Sequence, residues 1–191
     1  LQWQWQANPQ STWSFTNAAE GVLRLYSQQV PEPGMNLWSA PNVLLQKFPA
    51  EEFMATTKVL FRPNAKIEHE TAGMVIMGQD YASIGLINTK DGTRVVYSLR
   101  KKAADNEKET QTLVKAYDAP SIHFRVTVMK GAICQFSYSN DGKKFVTAGE
   151  EFKAEPGKWI GAKVGLFCTR PVQTNDSGYM DVDWFRVEAL K

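Results

Sequence analysis

The chain has 191 residues, of which 43% are hydrophobic, 22% charged and 12% aromatic, and this length fits one globular domain with its own core. Its formal net charge of +2 is too balanced for a dedicated nucleic-acid-binding protein. The apolar runs are too short to span a membrane, and ten Phe, six Trp and six Tyr argue against intrinsic disorder. We therefore expect neither a nucleic-acid nor a membrane partner.

Apolar and polar residues alternate with period two in many short runs, which predicts β-strands. In chain order the clearest runs lie at 22–25, 53–61, 74–77, 83–87, 95–100, 124–129 and 134–139. Asp91-Gly92 and Asp141-Gly142 are residue pairs that favour tight hairpin turns. For the charged stretch 100–109, a solvated hairpin loop is favoured over a turn of helix. About twelve short strands without a fixed repeat predict one all-β domain over residues 1–191, a sandwich of two antiparallel sheets.

The cysteines and the first residue bear on the origin of the chain. Cys134 and Cys168 lie in strand-like runs, which favours two free buried thiols, although a disulfide in an oxidising compartment stays open. The sequence begins at Leu1 without a basic-then-apolar leader. We interpret it as a domain of a longer polypeptide.

Motifs for metal, nucleophilic or phosphate chemistry are absent from the sequence. Its two histidines, His69 and His123, have no second His or Cys at zinc-binding spacing. Neither a Gly-x-Ser-x-Gly elbow nor a Gly-x-x-x-x-Gly-Lys loop occurs. No cofactor is therefore expected, and a structural calcium ion, which no ligand run marks, stays open.

Two aspartates are the candidates for acid/base chemistry. Asp181 and Asp183 alternate on a predicted strand, which would place both carboxylates on one face about 6–7 Å apart. That separation touches the range of glycosidase carboxylate pairs. Because no third acid stands in a Glu-x-Asp-x-x-Glu-like arrangement, we favour a structural role and predict no catalytic residue. A stand-alone sandwich glycosidase is the least favoured alternative.

Aromatic residues suggest a binding surface. Trp3 and Trp5 alternate with glutamines, so a strand would present both rings on one face, as in platforms that hold sugar rings. The same two rings could instead cover a domain interface or the edge of the core. We favour this second interpretation over a sugar-binding platform. Together with Trp38, Tyr81 and the polar loop 173–178, the two rings define an alternative function, an independent carbohydrate-binding module.

Several short motifs follow one another along nearly the whole chain. They include Leu-Gln-Trp-Gln-Trp-Gln-Ala-Asn-Pro at 1–9, Asn-Val-Leu-Leu-Gln-Lys at 42–47, Gly-Ala-Lys-Val-Gly-Leu at 161–166 and Met-Asp-Val-Asp-Trp-Phe at 180–185. In this order and spacing they resemble the C-terminal β-sandwich of glycoside hydrolase family 43, the β-xylosidase and α-L-arabinofuranosidase group.

The resemblance implies a concanavalin A-like jelly-roll sandwich that follows a five-bladed catalytic propeller in the same polypeptide. It further implies a non-catalytic accessory module of an enzyme acting on xylan or arabinan glycosides, located in the periplasm or outside a bacterial cell, with a cytoplasmic location left open. In the xylosidase branch an aromatic near the Gly-Ala-x-Val-Gly segment helps to close the substrate pocket. Trp159 keeps an aromatic in this stretch, and Lys163 stands where the family often has Phe.

Overall fold

A computed structural model describes residues 3–31, 36–101, 107–157 and 160–190. Within these residues the chain forms strands and turns but no helix, and so no helix long and apolar enough to cross a membrane. The strands are β1 (Gln4–Trp5), β2 (Ser14–Asn17), β3 (Val22–Tyr26), β4 (Gln28–Gln29), β5 (Leu44–Lys47), β6 (Phe53–Arg62), β7 (Thr71–Met77), β8 (Tyr81–Thr89), β9 (Gly92–Arg100), β10 (Thr110–Ala116), β11 (Ile122–Met129), β12 (Ile133–Ser139), β13 (Val146–Lys153), β14 (Lys163–Arg170) and β15 (Tyr179–Glu188).

The strands make two sheets that pack face to face. The first sheet has the order β1-β5-β14-β7-β8-β9-β10, with β4 pairing beside β14, and the second has the order β13-β12-β11-β6-β15-β3-β2. All neighbours are antiparallel except β4 and β14. The predicted all-β sandwich of two antiparallel sheets is therefore confirmed.

The main core lies between the sheets and follows from the period-two alternation. In β11, for example, Phe124, Val126 and Val128 are fully buried, whereas Arg125 and Thr127 between them are partly exposed. Phe53 on β6 and Phe136 on β12 belong to the same cluster. One face of the second sheet is thus apolar and the other polar, as expected for an antiparallel sheet with one solvated face.

A second apolar layer covers the outer face of the first sheet. Leu37, Ala40 and Val43 pack there against side chains of β7, β8 and β14. Every residue of β7 is buried as a result, and this explains why 74–77 is a continuous apolar run instead of an alternating one.

Both cysteines are free and buried, as predicted. Burial raises the pKa of the Cys134 thiol to about 12 and that of Cys168 well above its ordinary value. Since the thiolate is the reactive form, neither cysteine is a nucleophile at neutral pH. Residues 102–106 of the charged stretch lie outside the described residues, and the strands on either side of it, β9 and β10, pair with each other.

Gly149 joins the two sheets at their far edge. It lies in β13 with a φ of +74°, and a Cβ atom at this position would clash with the ring of Tyr97 on the first sheet. The Tyr97 hydroxyl donates a hydrogen bond to the carbonyl of Glu150 (3.1 Å). Only glycine meets both requirements, a left-handed backbone and a ring against its α-carbon.

We expect Gly149→Ala to lower the free energy of unfolding by about 2–4 kcal/mol, because left-handed strain adds to overpacking. Gly21→Ala is the matched control, since Gly21 has a φ of +69° but open space around its Cβ position, and it should show only the strain of about 1–2 kcal/mol. Urea unfolding measures both. Equal losses in the two variants would contradict the packing of Tyr97 on Gly149.

Candidate functional site: a groove at one end of the first sheet

The structure brings two of the six candidate residues together. Trp38 and Lys163 line one groove of about 230 Å³, which we call the Trp38 groove; its other lining residues are Gln6, Met77, Gly78, Gly157 and Ile160. Trp159 lies outside the described residues. The groove joins the end of β7, the start of β14 and the residue that follows β1.

The walls of the Trp38 groove are mainly apolar and carry two hydrogen-bond donors. The Trp38 ring packs against the second apolar layer, and its Nε1 is buried with no hydrogen-bond partner within 3–31, 36–101, 107–157 and 160–190. Such an unpaired donor costs about 1–3 kcal/mol. Burial lowers the pKa of the Lys163 ammonium, and Ile160 leaves 39% of its surface exposed. The groove is therefore suited to a surface that brings apolar contact and a hydrogen-bond acceptor for the Lys163 ammonium.

Trp3 and Trp5 do not form a free platform. The Trp3 ring contacts Phe185 edge-on at 5.0 Å between ring centroids, and the Trp5 ring contacts the buried Trp13 in the same way at 5.5 Å. Both rings thus pack toward the second sheet and close the edge of the sandwich. Trp3 remains 37% exposed and borders a second groove of about 420 Å³, the Trp3 groove, which is also lined by Thr16, Asn17, Leu23, Leu166, Asp183 and Phe185.

The interpretation of Tyr81 as an exposed aromatic needs correction. Its side chain is fully buried, because the second apolar layer lies over β8. The Tyr81 hydroxyl accepts a hydrogen bond from the Leu37 N–H (3.2 Å) and donates one to the carboxylate of Glu109. Tyr81 therefore ties the covering segment to the sheet and offers no ring face to a ligand.

The polar loop 173–178 is held by a buried network. The Glu70 carboxylate accepts hydrogen bonds from the Ser27 hydroxyl, the Asn64 N–H (2.5 Å) and the Gly178 N–H (2.8 Å). The guanidinium of Arg170 donates to the carbonyls of Ser27, Val172 (3.0 Å) and Thr174 (3.1 Å). Two of the loop's backbone groups thus point inward, which favours a structural role for the loop.

The two aspartates of β15 are each paired with a cation. Both Asp181 oxygens accept hydrogen bonds from Arg24 (2.7 and 2.8 Å), and Asp183 pairs with Lys58 at 2.7 Å. Asp183 is the extra residue of a β-bulge between Val182 and Trp184. Their partners are side chains on the neighbouring strands β3 and β6, which is consistent with the favoured structural role.

The bulge also changes which side chains share a face. In a regular strand, Phe185 and Val187 would lie on the same face as Asp181 and Asp183, because all four residues are two positions apart. In the structure both pack against the core, on the opposite face from Asp181, because the extra residue shifts the alternation by one.

Neither histidine belongs to a cluster of metal-binding side chains in the part of the chain that the structure describes. His69 has a φ of +63° in a turn before β7. The His123 ring lies 5.8 Å from that of Trp184, and burial is the main cause that lowers its pKa. Among the described residues, no three His, Cys, Asp or Glu side chains come together so that they could hold a metal ion.

Sequence analysis missed several residues of the Trp38 groove. Met77 belongs to a buried apolar run, and nothing in that run shows that its last side chain reaches a groove. Ile160 is an apolar residue shortly after the Pro156-Gly157 turn, and an exposed apolar residue beside a turn is the signal that could have found it.

Comparison with known proteins identifies the class. Residues 1–188 match the family described as "Beta xylosidase C-terminal Concanavalin A-like domain", so the chain belongs to this family. A beta-xylosidase of Formosa agariphila is 28% identical over 203 aligned residues, which cover 97% of this chain and 32% of that protein. The chain thus spans about a third of the length of this curated relative.

Solved structures support the same fold. A bifunctional GH43-CE protein of Bacteroides eggerthii superimposes with a TM-score of 0.85 at 21% identity, covering 99% of this chain and 24% of that chain. The GH43 protein BlXynB of Bacillus licheniformis gives a TM-score of 0.78 at 22% identity, with coverages of 98% and 37%. In each case the matched region is one part of a longer polypeptide. The resemblance to family 43 and the concanavalin A-like fold are therefore confirmed.

The buried contact between Tyr81 and Glu109 predicts a pH dependence of stability. Burial raises the pKa of Glu109, although hydrogen bonds from Tyr81, Gln111 and Ser98 act in the opposite direction. The unfolded carboxyl ionises near pH 4.3, so native stability falls as the pH rises from there through the folded pKa. Glu109→Gln keeps an acceptor for Tyr81 but cannot ionise.

We therefore expect Glu109→Gln to remove this pH-dependent loss. In urea unfolding between about pH 4 and pH 8, the free energy of unfolding of the variant should rise relative to that of the wild type as the pH rises. Glu151→Gln on the exposed side of β13 is the control and should follow the wild type at every pH. The same pH profile in Glu109→Gln and wild type would contradict a raised pKa for Glu109.

Proposed function

We propose that this domain is a non-catalytic accessory module of a family 43 glycoside hydrolase acting on xylan or arabinan glycosides. It packs against a catalytic propeller that precedes it in the same polypeptide and forms one wall of the substrate pocket through the Trp38 groove. The observation that carries this proposal is that the groove is chemically incomplete. Among the described residues, the buried indole N–H of Trp38 has no hydrogen-bond partner, the Lys163 ammonium is partly buried and Ile160 is exposed, and all three residues line one concave site.

The position of the Trp38 groove supports a partner that arrives from the start of the chain. Gln6, which lines the groove, directly follows β1, and its N–H donates to the carbonyl of Val43 (2.9 Å). The family is defined as a C-terminal domain, and the curated relative is about three times as long as this chain. A preceding domain would therefore enter beside the groove.

Lys163 determines the chemistry that the domain would bring to a pocket. An aromatic at this position would offer only a ring, whereas an ammonium donates hydrogen bonds to hydroxyl or ring oxygens of a sugar. Lys163 pairs with Lys47 of β5 and Met77 of β7 at the start of β14, and its side chain is partly buried. We infer a pocket wall selective for hydroxyl-rich substrates, in an enzyme of the bacterial periplasm or exterior.

The carbohydrate-binding alternative has less support. Its aromatic residues lie in separate places: Trp3 and Trp5 against the second sheet, Trp38 at the end of the first sheet, and Tyr81 inside the molecule. A sugar platform needs rings that share one exposed surface. Titration calorimetry of the domain with xylan and arabinan oligosaccharides at millimolar concentration tests this alternative.

In the full-length enzyme, we expect Lys163→Ala and Trp38→Ala to lower kcat/KM on aryl β-xylosides by roughly tenfold, equivalent to about 1.4 kcal/mol of lost transition-state binding. Lys115→Ala on exposed β10, at the far edge of the same sheet, is the matched control and should be neutral. Thermal unfolding verifies that the variants remain folded. Unchanged kcat/KM in both groove variants would refute the pocket-wall role.

The domain alone should hydrolyse neither aryl β-xylosides nor aryl α-L-arabinofuranosides, because Asp181 and Asp183 are held by Arg24 and Lys58. Assays with the 191-residue chain measure this. Clear turnover that disappears in Asp183→Asn would show a catalytic domain and overturn the proposal.

A further inference from the structure

One edge of β15 is uncovered along half of its length. β3 pairs with β15 from Tyr179 to Val182, whereas β6 continues along the other side as far as Glu188. Beyond Val182, no strand of the described chain lies on the β3 side. Along a strand, the backbone N–H and C=O groups of successive residues point to opposite sides. About every second residue of 183–188 therefore directs its N–H and C=O groups to this open side. An open edge of this kind is a template for another strand.

The open edge forms a wall of the Trp3 groove. Phe185 and Asp183 belong to that edge, and the groove is also lined by Trp3, by Thr16 of β2 and by Leu166 of the first sheet. An apolar slot beside an unpaired strand edge is the combination that accepts an extended peptide, because the backbone gains ladder hydrogen bonds and alternate side chains enter the slot.

Two polar side chains of the Trp3 groove, Asp183 and Asn17, already have partners. The Asp183 carboxylate accepts a hydrogen bond from Lys58 (2.7 Å), and the side-chain oxygen of Asn17 accepts one from the Glu20 N–H (3.3 Å). A sugar needs several unengaged polar side chains for its hydroxyls. A peptide strand needs backbone groups and apolar contact, and both are present here.

The position of Trp3 indicates where such a peptide comes from. The described chain begins at Trp3, whose ring lies 5.0 Å from that of Phe185. In this family the domain is the C-terminal part of a longer chain, so the preceding polypeptide starts beside the groove. Its covalent attachment over a short distance corresponds to an effective concentration in the millimolar range.

We propose that the polypeptide preceding residue 1 in the full-length protein adds to the open edge of β15 along 183–188 and places an apolar side chain in the Trp3 groove. It thereby crosses from the first sheet to the second and fixes the orientation of the preceding domain relative to the sandwich. This inference rests on the proposed function, because it takes that polypeptide to be the end of the catalytic domain or the linker that follows it.

Hydrogen–deuterium exchange tests the proposal by comparing the full-length protein with the 191-residue domain. We expect the amides of 183–188 to exchange at least about tenfold more slowly in the full-length protein, because the open edge gains hydrogen bonds there. The control segment is β13, an edge strand at the other side of the same sheet, which should exchange alike in both proteins. Equal exchange of 183–188 in the two proteins would overturn the inference.

A matched pair of variants tests whether the Trp3 groove is the place where the preceding polypeptide docks. In the full-length protein, Trp3→Ala should restore much of the exchange at 183–188. Phe15→Ala should leave it slow, since Phe15 is 54% exposed on neighbouring β2 but does not line the groove. Protection that is unaffected by Trp3→Ala would show that the groove is not the docking site.

The outcomes separate this inference from the proposed function. Fast exchange at 183–188 in an enzyme whose kcat/KM depends on Lys163 overturns the strand addition alone. Slow exchange in an enzyme indifferent to Lys163 and Trp38 overturns the pocket-wall role alone. Protection of 183–188 in the 191-residue domain by millimolar xylo-oligosaccharide would overturn strand addition in favour of a sugar site.

Discussion

The packing of residues 36–43 on the outer face of the first sheet is the interaction on which the arrangement of the candidate site depends. Leu37, Ala40 and Val43 bury that face, and the hydrogen bond from the Leu37 N–H to the hydroxyl of Tyr81 holds the segment in place. Trp38 reaches the end of β7 only because its neighbours are anchored in this layer. The Trp38 groove is therefore a consequence of a two-sided burial that is unusual for an antiparallel sheet.

The β-bulge in β15 decides the chemistry at the other side of the molecule. If the same residues alternated regularly without the bulge, Asp181 and Asp183 would share a face and Phe185 would point outward. With it, the carboxylates pair with separate cations, and Phe185 turns inward to meet Trp3. The same bulge lies where β3 stops covering β15, so it also marks the start of the open edge. A local insertion thus removes a candidate acid pair and creates one wall of a groove.

The two grooves flank β1, the first strand of the chain. Trp3 precedes this strand and lines one groove, while Gln6 follows it and lines the other. A domain attached ahead of residue 1 would therefore enter close to both grooves in sequence. The proposed strand addition would restrain this domain, and the proposed pocket wall at Trp38 and Lys163 requires such a restraint, because a wall that moves cannot discriminate between substrates.

The sequence alone determined the fold class and the family and favoured buried free thiols, because period-two alternation and ordered motifs are local properties that any sandwich of this kind retains. It also placed Trp38 and Lys163 among the candidates. The tertiary structure alone decided that these two side chains meet, that Tyr81 is buried and that Asp183 is a bulge residue. Each of these depends on contacts between residues that are distant in sequence. Residues 36–43 cover β8 and thereby bury Tyr81. Asp183 becomes a bulge residue because it has no partner in the ladder between β15 and β6. Strand alternation contains no information about which outer face will be covered or where a ladder will skip a residue.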